Sequence, residues 1–229
     1  MRVLLLDIEG TTTSISFVYD VLFPYARREL PAFVSRHWGD AAVREAARLM
    51  GAETADDAVR RALELMDGDV KDTGLKALQG LVWEDGYRGG ELRGHVYEDV
   101  KQALVRAKAR GVRVAIYSSG SVAAQKLLFG ASVDGDLLPF IERHFDTTTG
   151  PKKESGSYGR IAAELGVAVG EVTFLTDNPD EADAARNAGM RVFVAVRPGN
   201  PALPQAVGAE WVTVRSLLEV PELADGEAG

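Results

Sequence analysis

Short, continuous apolar runs recur along this chain, and the first three each end at a polar residue. Residues 2–6 precede Asp7, residues 112–117 precede Ser118, and residues 172–176 precede Asp177. Two further runs lie later in the chain, at residues 192–196 and 211–214. Continuous rather than alternating apolar runs are typical of strands buried on both faces. The runs therefore predict a parallel β-sheet that is covered by helices.

Helical patterns fill the intervals between most of these runs. Apolar residues keep helical spacing over residues 96–107 and 158–165. A third helix is predicted after Asp177, where Asn178 suits the N-cap and Pro179 the first turn. Strands that alternate with helices indicate an α/β fold, here a doubly wound parallel sheet.

Residues 14–90 break this alternation, because they contain no good strand candidate and carry two apolar stripes at helical spacing. We therefore predict a helical cap domain at residues 14–90. It is inserted into a core domain that comprises residues 1–13 and 91–229. Pro24 and Pro31 interrupt the first segment of the insertion, which predicts that this part is divided into two pieces.

The net charge of −8 and the absence of cysteine narrow the classes of function. Nucleic acids and anionic membranes attract clustered positive charge, so we expect neither as a partner. Without cysteine, the chain has neither a disulfide framework nor a thiolate site. Asp7 cuts the first apolar run too short for a signal peptide, and no stretch approaches the roughly 20 apolar residues of a membrane helix. We expect a cytoplasmic protein and, with no long exposed apolar stripe, a monomer.

Polar residues follow the predicted strands at the edge where ligands bind in parallel α/β sheets. They supply three carboxylates and several hydroxyls, from Asp7, Glu9, Ser118, Ser119 and Asp177. Lys152 and Lys153, in the loop before the helix at residues 158–165, are close enough in the chain to reach the same edge. Each group alone is more often a turn, a cap or a solvated charge. Their joint placement after successive strands favours a functional site.

These groups match the needs of phosphoryl transfer. A carboxylate such as Asp7 acts as a nucleophile and forms an acyl phosphate. A second carboxyl two residues later, Glu9, protonates the leaving oxygen and then activates water. Carboxylate oxygens suit Mg²⁺, while hydroxyls, amides and a lysine stabilise phosphate oxygens. The pattern therefore predicts a magnesium-dependent phosphatase.

Asp7, Ser118, Lys152 and Asp177 stand in an order that resembles the four motifs of the haloacid dehalogenase superfamily of phosphohydrolases. Glu9 departs from the second aspartate of the first motif. With this departure, Asp-Ile-Glu-Gly-Thr-Thr resembles the enolase-phosphatase branch, also called acireductone synthase, of methionine salvage. Further stretches similar to that branch are residues 21–25, 78–80, 117–121, 125–130 and 196–200.

The resemblance implies a site that holds one Mg²⁺ per subunit. It implies that Asp7 is the nucleophile and Glu9 the acid/base group. Asp7, Glu9 and Asp177 are the implied metal ligands, and Glu9 would act through either its side chain or its backbone. We therefore expect these three residues to lie close together.

The resemblance also implies how the substrate is held. Ser118, Ser119 and Lys152 would bind it, although a shift of one position would put Lys153 in the place of Lys152. The implied substrate is a small phosphate ester, 2,3-diketo-5-methylthiopentyl-1-phosphate, which is enolised and then dephosphorylated to an acireductone. The group that takes the proton during enolisation stays open between Glu9 and a residue of the cap.

Four other functions compete with this interpretation. A phosphatase for another small ester would share every catalytic residue, and a phosphotransferase or mutase would protect the aspartyl phosphate from water. A receiver-like signalling domain would have no cap insertion, so residues 14–90 argue against it. Glu9, Lys152 and Asp177 suit a charged ester and so disfavour a dehalogenase.

Overall fold

A parallel six-stranded sheet forms the centre of the computed structural model, which describes residues 2–203 and 210–224. The strands, in chain order, are β1 (Val3–Leu6), β2 (Arg113–Tyr117), β3 (Arg143–Phe145), β4 (Val172–Thr176), β5 (Arg191–Ala195) and β6 (Thr213–Val214). Their order in the sheet is β3-β2-β1-β4-β5-β6, and every neighbouring pair is parallel. Since β1 lies between β2 and β4, the strand order reverses at the centre of the sheet.

The α-helices of the described residues are, in chain order, α1 (Phe23–His37), α2 (Ala41–Leu49), α3 (Ala55–Asp67), α4 (Thr73–Gly89), α5 (Glu98–Ala109), α6 (Val122–Gly130), α7 (Ser155–Leu165) and α8 (Pro179–Ala188). A π-helix over Phe17–Leu22 precedes α1. Among the described residues, none of these helices combines the length and the apolar character that spanning a lipid bilayer requires.

Alternate residues of the strands pack into two different apolar layers. Val3 and Leu5 of β1 point to a core that includes buried side chains of α7 and α8. Leu4 and Leu6 face the opposite layer, which contains Leu104 of α5. A sheet covered by helices on both faces is the doubly wound architecture that the apolar runs predict, and the structure confirms it.

The chain divides into two compact units, residues 1–15 with 94–229 and residues 16–93. The sequence placed these boundaries at 13/14 and 90/91, two and three residues earlier. The shift has local causes. Thr13 Oγ1 donates to His95 O at 2.8 Å, which keeps this part of the chain with the first unit. Leu92 is buried, so the second unit continues past the end of α4.

The second unit is helical, with α4 packed against α1 and α2. The prediction that prolines divide its first segment is wrong for Pro31, because α1 runs unbroken from Phe23 to His37. Pro24 lies in the first turn of α1, directly after the π-helix. Pro31 and Arg27, whose carbonyl loses its intrahelical partner, are both exposed residues.

Strand β3 was not predicted from the sequence. It contains only three residues, of which Arg143 is exposed and His144 is half-buried, so it has no apolar run. Pairing with residues 115–117 of β2 defines it as a strand. The other five strands coincide with the predicted runs to within two residues at either end.

Candidate active site

The register of the sheet brings three predicted site residues to one edge. Leu6 of β1 pairs with Ile116 on one side and with Leu175 on the other. Asp7 follows β1 directly, and its backbone N–H donates to Leu175 O at 2.9 Å. Ser118 and Asp177 each lie two residues beyond the partners of Leu6, so they stand on either side of Asp7 at the carboxyl ends of the strands.

Asp7 is the centre of a buried network of charged and polar groups. The residue is 5% exposed, and its Oδ1 accepts from Lys152 Nζ at 2.6 Å. Lys152 Nζ also lies 2.6 Å from Glu181 Oε2. Thr176 Oγ1 lies 3.1 Å from Asp7 Oδ2 and 2.9 Å from Glu181 Oε2, so its hydroxyl can donate to either carboxylate. One lysine therefore balances two buried carboxylates.

Lys152, and not its neighbour Lys153, belongs to this network. Lys153 is exposed and pairs with Asp180 at 2.6 Å. The orientation of Lys152 is set by its backbone, because Tyr158 OH donates to Lys152 O at 2.6 Å. Tyr117 OH donates to Gly150 O in the same loop at 2.8 Å. Two buried tyrosines of the core thus hold the loop that carries the lysine.

Two carboxyl groups of the site, those of Asp177 and Glu181, disfavour ionisation. Burial and the charges of Asp7 and Glu181 raise the pKa of Asp177 to about 7. Burial and the charge of Asp7 also raise the pKa of Glu181 to about 7. Burial alone would lower the pKa of Lys152, but Asp7 and Glu181 outweigh burial and raise it. The site therefore holds more negative than positive charge and favours an added cation.

Glu9 and Gly10 form the loop that follows Asp7. Glu9 as a residue is exposed to solvent. Protein atoms nevertheless surround its carboxyl group, and this burial, together with the charge of Asp7, raises the pKa of Glu9. Gly10 has a φ of +66°, and a side chain there would overlap the carboxylate of Asp177. A glycine is therefore required for the close approach of Asp177 to the loop that carries Glu9.

Ser118 and Ser119 differ in exposure although they are adjacent. Ser118 is buried, and its Oγ accepts from Gly120 N at 3.2 Å. Ser119 is exposed at the same edge of the sheet. The turn carries two hydroxyls beyond the end of β2, and hydroxyl groups are suitable donors to phosphate oxygens.

The donor set of the site fits Mg²⁺. Among the described residues, no three acidic or histidine side chains already converge as a metal cage. Asp7 and Asp177 nevertheless supply the hard oxygen atoms that Mg²⁺ prefers. Burial, with the charges of Asp7 and Glu181, raises the pKa of Asp177, and a cation beside this carboxylate would oppose that shift. The absence of a side chain at Gly10 leaves room for that carboxylate beside the loop.

Sequence reasoning missed two members of the network, Thr176 and Glu181. Glu181 lies in the first turn of α8, is 7% exposed and pairs with Lys152. The available signal was its position in the first helical turn after the strand end that carries Asp177.

Comparison with known proteins agrees with the fold and the order of these residues. The family model for haloacid dehalogenase-like hydrolases matches residues 1–189. Enolase-phosphatase E1 of Pseudomonas aeruginosa is 52% identical over 205 residues, covering 87% of this chain and 91% of that protein. Enolase-phosphatase E1 of Drosophila melanogaster is 47% identical, covering 92% of this chain and 90% of that protein.

A solved structure gives the same result. The UTR4 protein of Saccharomyces cerevisiae is 40% identical and superposes with a TM-score of 0.82, covering 94% of this chain and 97% of that one. A phosphatase from Thermococcus onnurineus, at 20% identity and a TM-score of 0.59, shares the fold. Hydrolases of this superfamily generally use Mg²⁺. The predicted resemblance is confirmed: the chain belongs to the enolase-phosphatase family of haloacid dehalogenase-like hydrolases.

Proposed function

We propose that this chain is an enolase-phosphatase of methionine salvage that forms an aspartyl phosphate on Asp7. Its substrate would be 2,3-diketo-5-methylthiopentyl-1-phosphate, and its products the acireductone and phosphate. The observation that carries the proposal is the buried carboxylate of Asp7, held between Lys152 and Thr176 at the carboxyl end of the central strand. The similarity to enolase-phosphatases of Pseudomonas aeruginosa and Drosophila melanogaster, at 52% and 47% identity, supports the choice of substrate.

The phosphatase steps follow from the positions of two carboxyl groups. An oxygen of Asp7 attacks phosphorus, and the bond from phosphorus to the ester oxygen breaks. Glu9 gives its proton to that leaving oxygen, and its raised pKa favours the protonated form that this step needs. Glu9 then takes a proton from water, which attacks phosphorus and releases phosphate and the free carboxylate of Asp7.

Binding of the phosphate would depend on Lys152 and the turn after β2. Lys152 Nζ lies 2.6 Å from Asp7 Oδ1, so the ammonium would sit next to a phosphate that approaches Asp7. Ser118 and Ser119 would donate hydroxyl hydrogens to the other phosphate oxygens. Such charge-assisted hydrogen bonds strengthen as negative charge develops in the transition state.

A single Mg²⁺ would be held by Asp7, Asp177 and Glu9, the last through its side chain or its backbone. When bound, it would neutralise charge on the phosphate and on the carboxylates that surround it. Asp177 would contribute mainly as a ligand, since its pKa near 7 falls once a cation lies beside it.

The enolase step removes a proton next to a carbonyl group of the substrate. Glu9 is our candidate for the proton acceptor, because its carboxyl follows the nucleophile by two residues; a cap residue is the alternative. Residues 16–93 would form the cap domain, and residues 1–15 and 94–229 the phosphatase domain. We further propose that the enzyme is a cytoplasmic monomer that binds neither nucleic acid nor membranes.

The test is a coupled assay of the full chain with Mg²⁺ and the diketo phosphate. Absorbance of the enediol and free phosphate are followed together for the wild type, Asp7→Asn and Asp180→Asn. We expect both signals in the wild type and at least about a thousandfold loss of phosphate release in Asp7→Asn. Asp180 is an exposed aspartate outside the network, so Asp180→Asn should match the wild type.

Two results would contradict the proposal in different ways. Release of phosphate from other esters, but not from the diketo phosphate, would keep the phosphatase and exclude the methionine salvage substrate. Undiminished phosphate release by Asp7→Asn would exclude Asp7 as the nucleophile.

A further inference from the structure

The segment from Arg197 to Asn200, which follows β5, takes no part in the chemistry described above. It nevertheless contacts the loop that carries Glu9. Asn200 Nδ2 donates to Gly10 O at 2.9 Å, and Arg197 Nε donates to Thr11 O at 2.9 Å. The two carbonyls that follow Glu9 in the chain are therefore both held by this segment.

The side chain of Arg197 is held in a fixed position by several contacts. Its side chain is 3% exposed, and its Nη2 donates to Asp99 Oδ2 at 3.0 Å. Its Nη1 donates to Arg215 O at 2.6 Å, and the guanidinium lies over the ring of Tyr97. A buried guanidinium is stable only when its donors are paired, so these contacts keep Arg197 in one orientation.

The loop that the segment holds has little freedom on its other side. Gly10 N donates to Thr13 O at 2.8 Å, and the left-handed conformation of Gly10 places it against Asp177. A rotation of the peptide between Gly10 and Thr11 would move the neighbouring Glu9. A shift of about 1 Å in a catalytic group lowers the rate by as much as a hundredfold.

We propose that Asn200, supported by Arg197, is a positioning residue that orients Glu9 relative to Asp7. The inference rests on the proposed function, in which Glu9 transfers protons. It predicts an effect on the chemical steps and not on the affinity for phosphate, because neither Asn200 nor Arg197 contacts Lys152 or Ser118 in any hydrogen bond of the described residues.

The test compares kcat with phosphate affinity in Asn200→Ala. We expect kcat to fall about tenfold, while the inhibition constant of inorganic phosphate stays within about twofold of the wild type. Asn200→Asp keeps the shape but removes the donor, so it should lose at least as much. Ser216→Ala is the matched control, since Ser216 Oγ donates to the same Asp99 without reaching the loop.

Wild-type kcat in both Asn200 variants, with melting curves that show folded protein, would overturn the inference. So would an equal loss in kcat and in phosphate affinity, which indicates general damage to the site. Failure of the proposed function would look different, because Asp7→Asn would then retain phosphate release.

An independent observation concerns the turn that carries Ser118 and Ser119. Gln125 of α6 is 1% exposed, and its Nε2 donates to Gly120 O and to Phe145 O, each at 2.8 Å. Phe145 O also accepts from Ser118 N at 3.2 Å. One side-chain amide therefore joins the end of the turn to the end of β3.

The direction of this amide determines the tautomer of His144. Gln125 uses its amide hydrogens on the two carbonyls, so its Oε1 is the acceptor that faces His144 Nδ1 at 3.1 Å. The imidazole must then carry its hydrogen on Nδ1. The geometry points to Gln125 as a second positioning residue, one that shapes the phosphate-binding turn. This inference also rests on the proposed function.

Gln125→Leu removes the amide while keeping a side chain of similar size. We expect the inhibition constant of inorganic phosphate and KM to rise about tenfold, with a smaller change in kcat. This is the reverse of the pattern expected for Asn200→Ala. The control is Ser132→Ala, which removes the hydrogen bond from the buried Ser132 to Gly135 O outside the turn and should leave phosphate affinity unchanged.

Unchanged phosphate affinity in a folded Gln125→Leu variant would overturn the second inference. A loss of similar size in Ser132→Ala would overturn it as well, because it would show that general destabilisation is sufficient. Ser118→Ala distinguishes failure of this inference from failure of the proposed function. Unchanged phosphate affinity in Ser118→Ala would refute the phosphate-binding role proposed for Ser118, whereas the inference about Gln125 is refuted by the Gln125→Leu result.

Discussion

The two units of the chain place their charged groups in opposite ways. In the helical unit, ion pairs lie at the surface, as in Arg48 with Glu45, whose side chains are 69% and 55% exposed. At the site of the first unit, the paired side chains of Lys152 and Asp7 are 6% and 7% exposed. Similar chemical pairs thus occur in two very different environments.

The exposed and the buried ion pairs differ in how they affect the stability of the fold. An exposed pair contributes little to stability, because water screens both charges. A buried pair loses the hydration of both ions, and removal of one partner leaves an uncompensated charge. Two carboxylates beside one buried lysine are therefore unfavourable for stability alone, and such arrangements cluster at functional sites.

Among the changes to these charged pairs, the largest expected effect is that of Lys152, the buried one of the two adjacent lysines. Lys152→Met should lower kcat/KM at least about a hundredfold, because it removes the ammonium from beside Asp7. It should also lower the free energy of unfolding by on the order of 3 kcal/mol, since Asp7 and Glu181 lose their cation. Lys153→Met should change neither quantity. Equal effects of the two substitutions, in phosphate release and in urea unfolding, would contradict the contrast between buried and exposed charges.

Glu181→Gln should separate activity from stability. We expect kcat/KM to fall about tenfold, because Lys152 loses one of its two carboxylate partners. The free energy of unfolding at pH 8 without Mg²⁺ should not fall. The pKa of Glu181 is raised to about 7, so ionisation of this group costs stability as pH rises through that value, and glutamine removes the cost. A large loss of stability at pH 8 would show that the glutamate is mainly a structural partner.

His144 offers a smaller effect that depends on pH. Burial, with a contribution from Lys126, lowers its pKa from 6.5 to about 4. Between those values the unfolded chain binds a proton that the folded chain does not, so stability falls as pH falls. Allowing for partial exposure, His144→Gln should remove on the order of 1 kcal/mol of the decrease in unfolding free energy between pH 7.5 and 5.

The matched control for this measurement is His37→Gln in the helical unit, where the imidazole pairs with Asp40 near the surface. The pH dependence of urea unfolding should survive this substitution. If His144→Gln leaves the dependence as it is in the wild type, burial of that imidazole does not contribute to it.

The smallest effect is expected at the surface of the helical unit. Arg48→Ala removes the pair with Glu45 at i,i+3 in α2, where both side chains are more than half exposed. Alanine also favours the helix, so the midpoint of urea unfolding should not change measurably. A clear decrease would show that surface pairs of this unit stabilise it more than their exposure indicates.

Much of the core could be predicted from the sequence, because local patterns specify its main elements. Continuous apolar runs marked five of the six strands, and the residues after three of them marked the edge where Asp7, Ser118 and Asp177 stand. Asn178 and Pro179 located the start of α8, where Asn178 Oδ1 accepts from Asp180 N. These signals lie within a few residues of the feature that they specify.

Contacts between distant parts of the chain were decided only by the tertiary structure. The resemblance favoured Lys152 and left a shift of one position to Lys153 open, and in the structure the hydroxyl of Tyr158 holds the loop backbone from which Lys152 reaches Asp7. Strand β3 exists because β2 provides hydrogen-bonding partners, not because of its own residues. Glu181 and Gln125 read as ordinary helix residues until packing buries them. The sequence by itself determined which groups are available, whereas burial and three-dimensional proximity determined which of them act together.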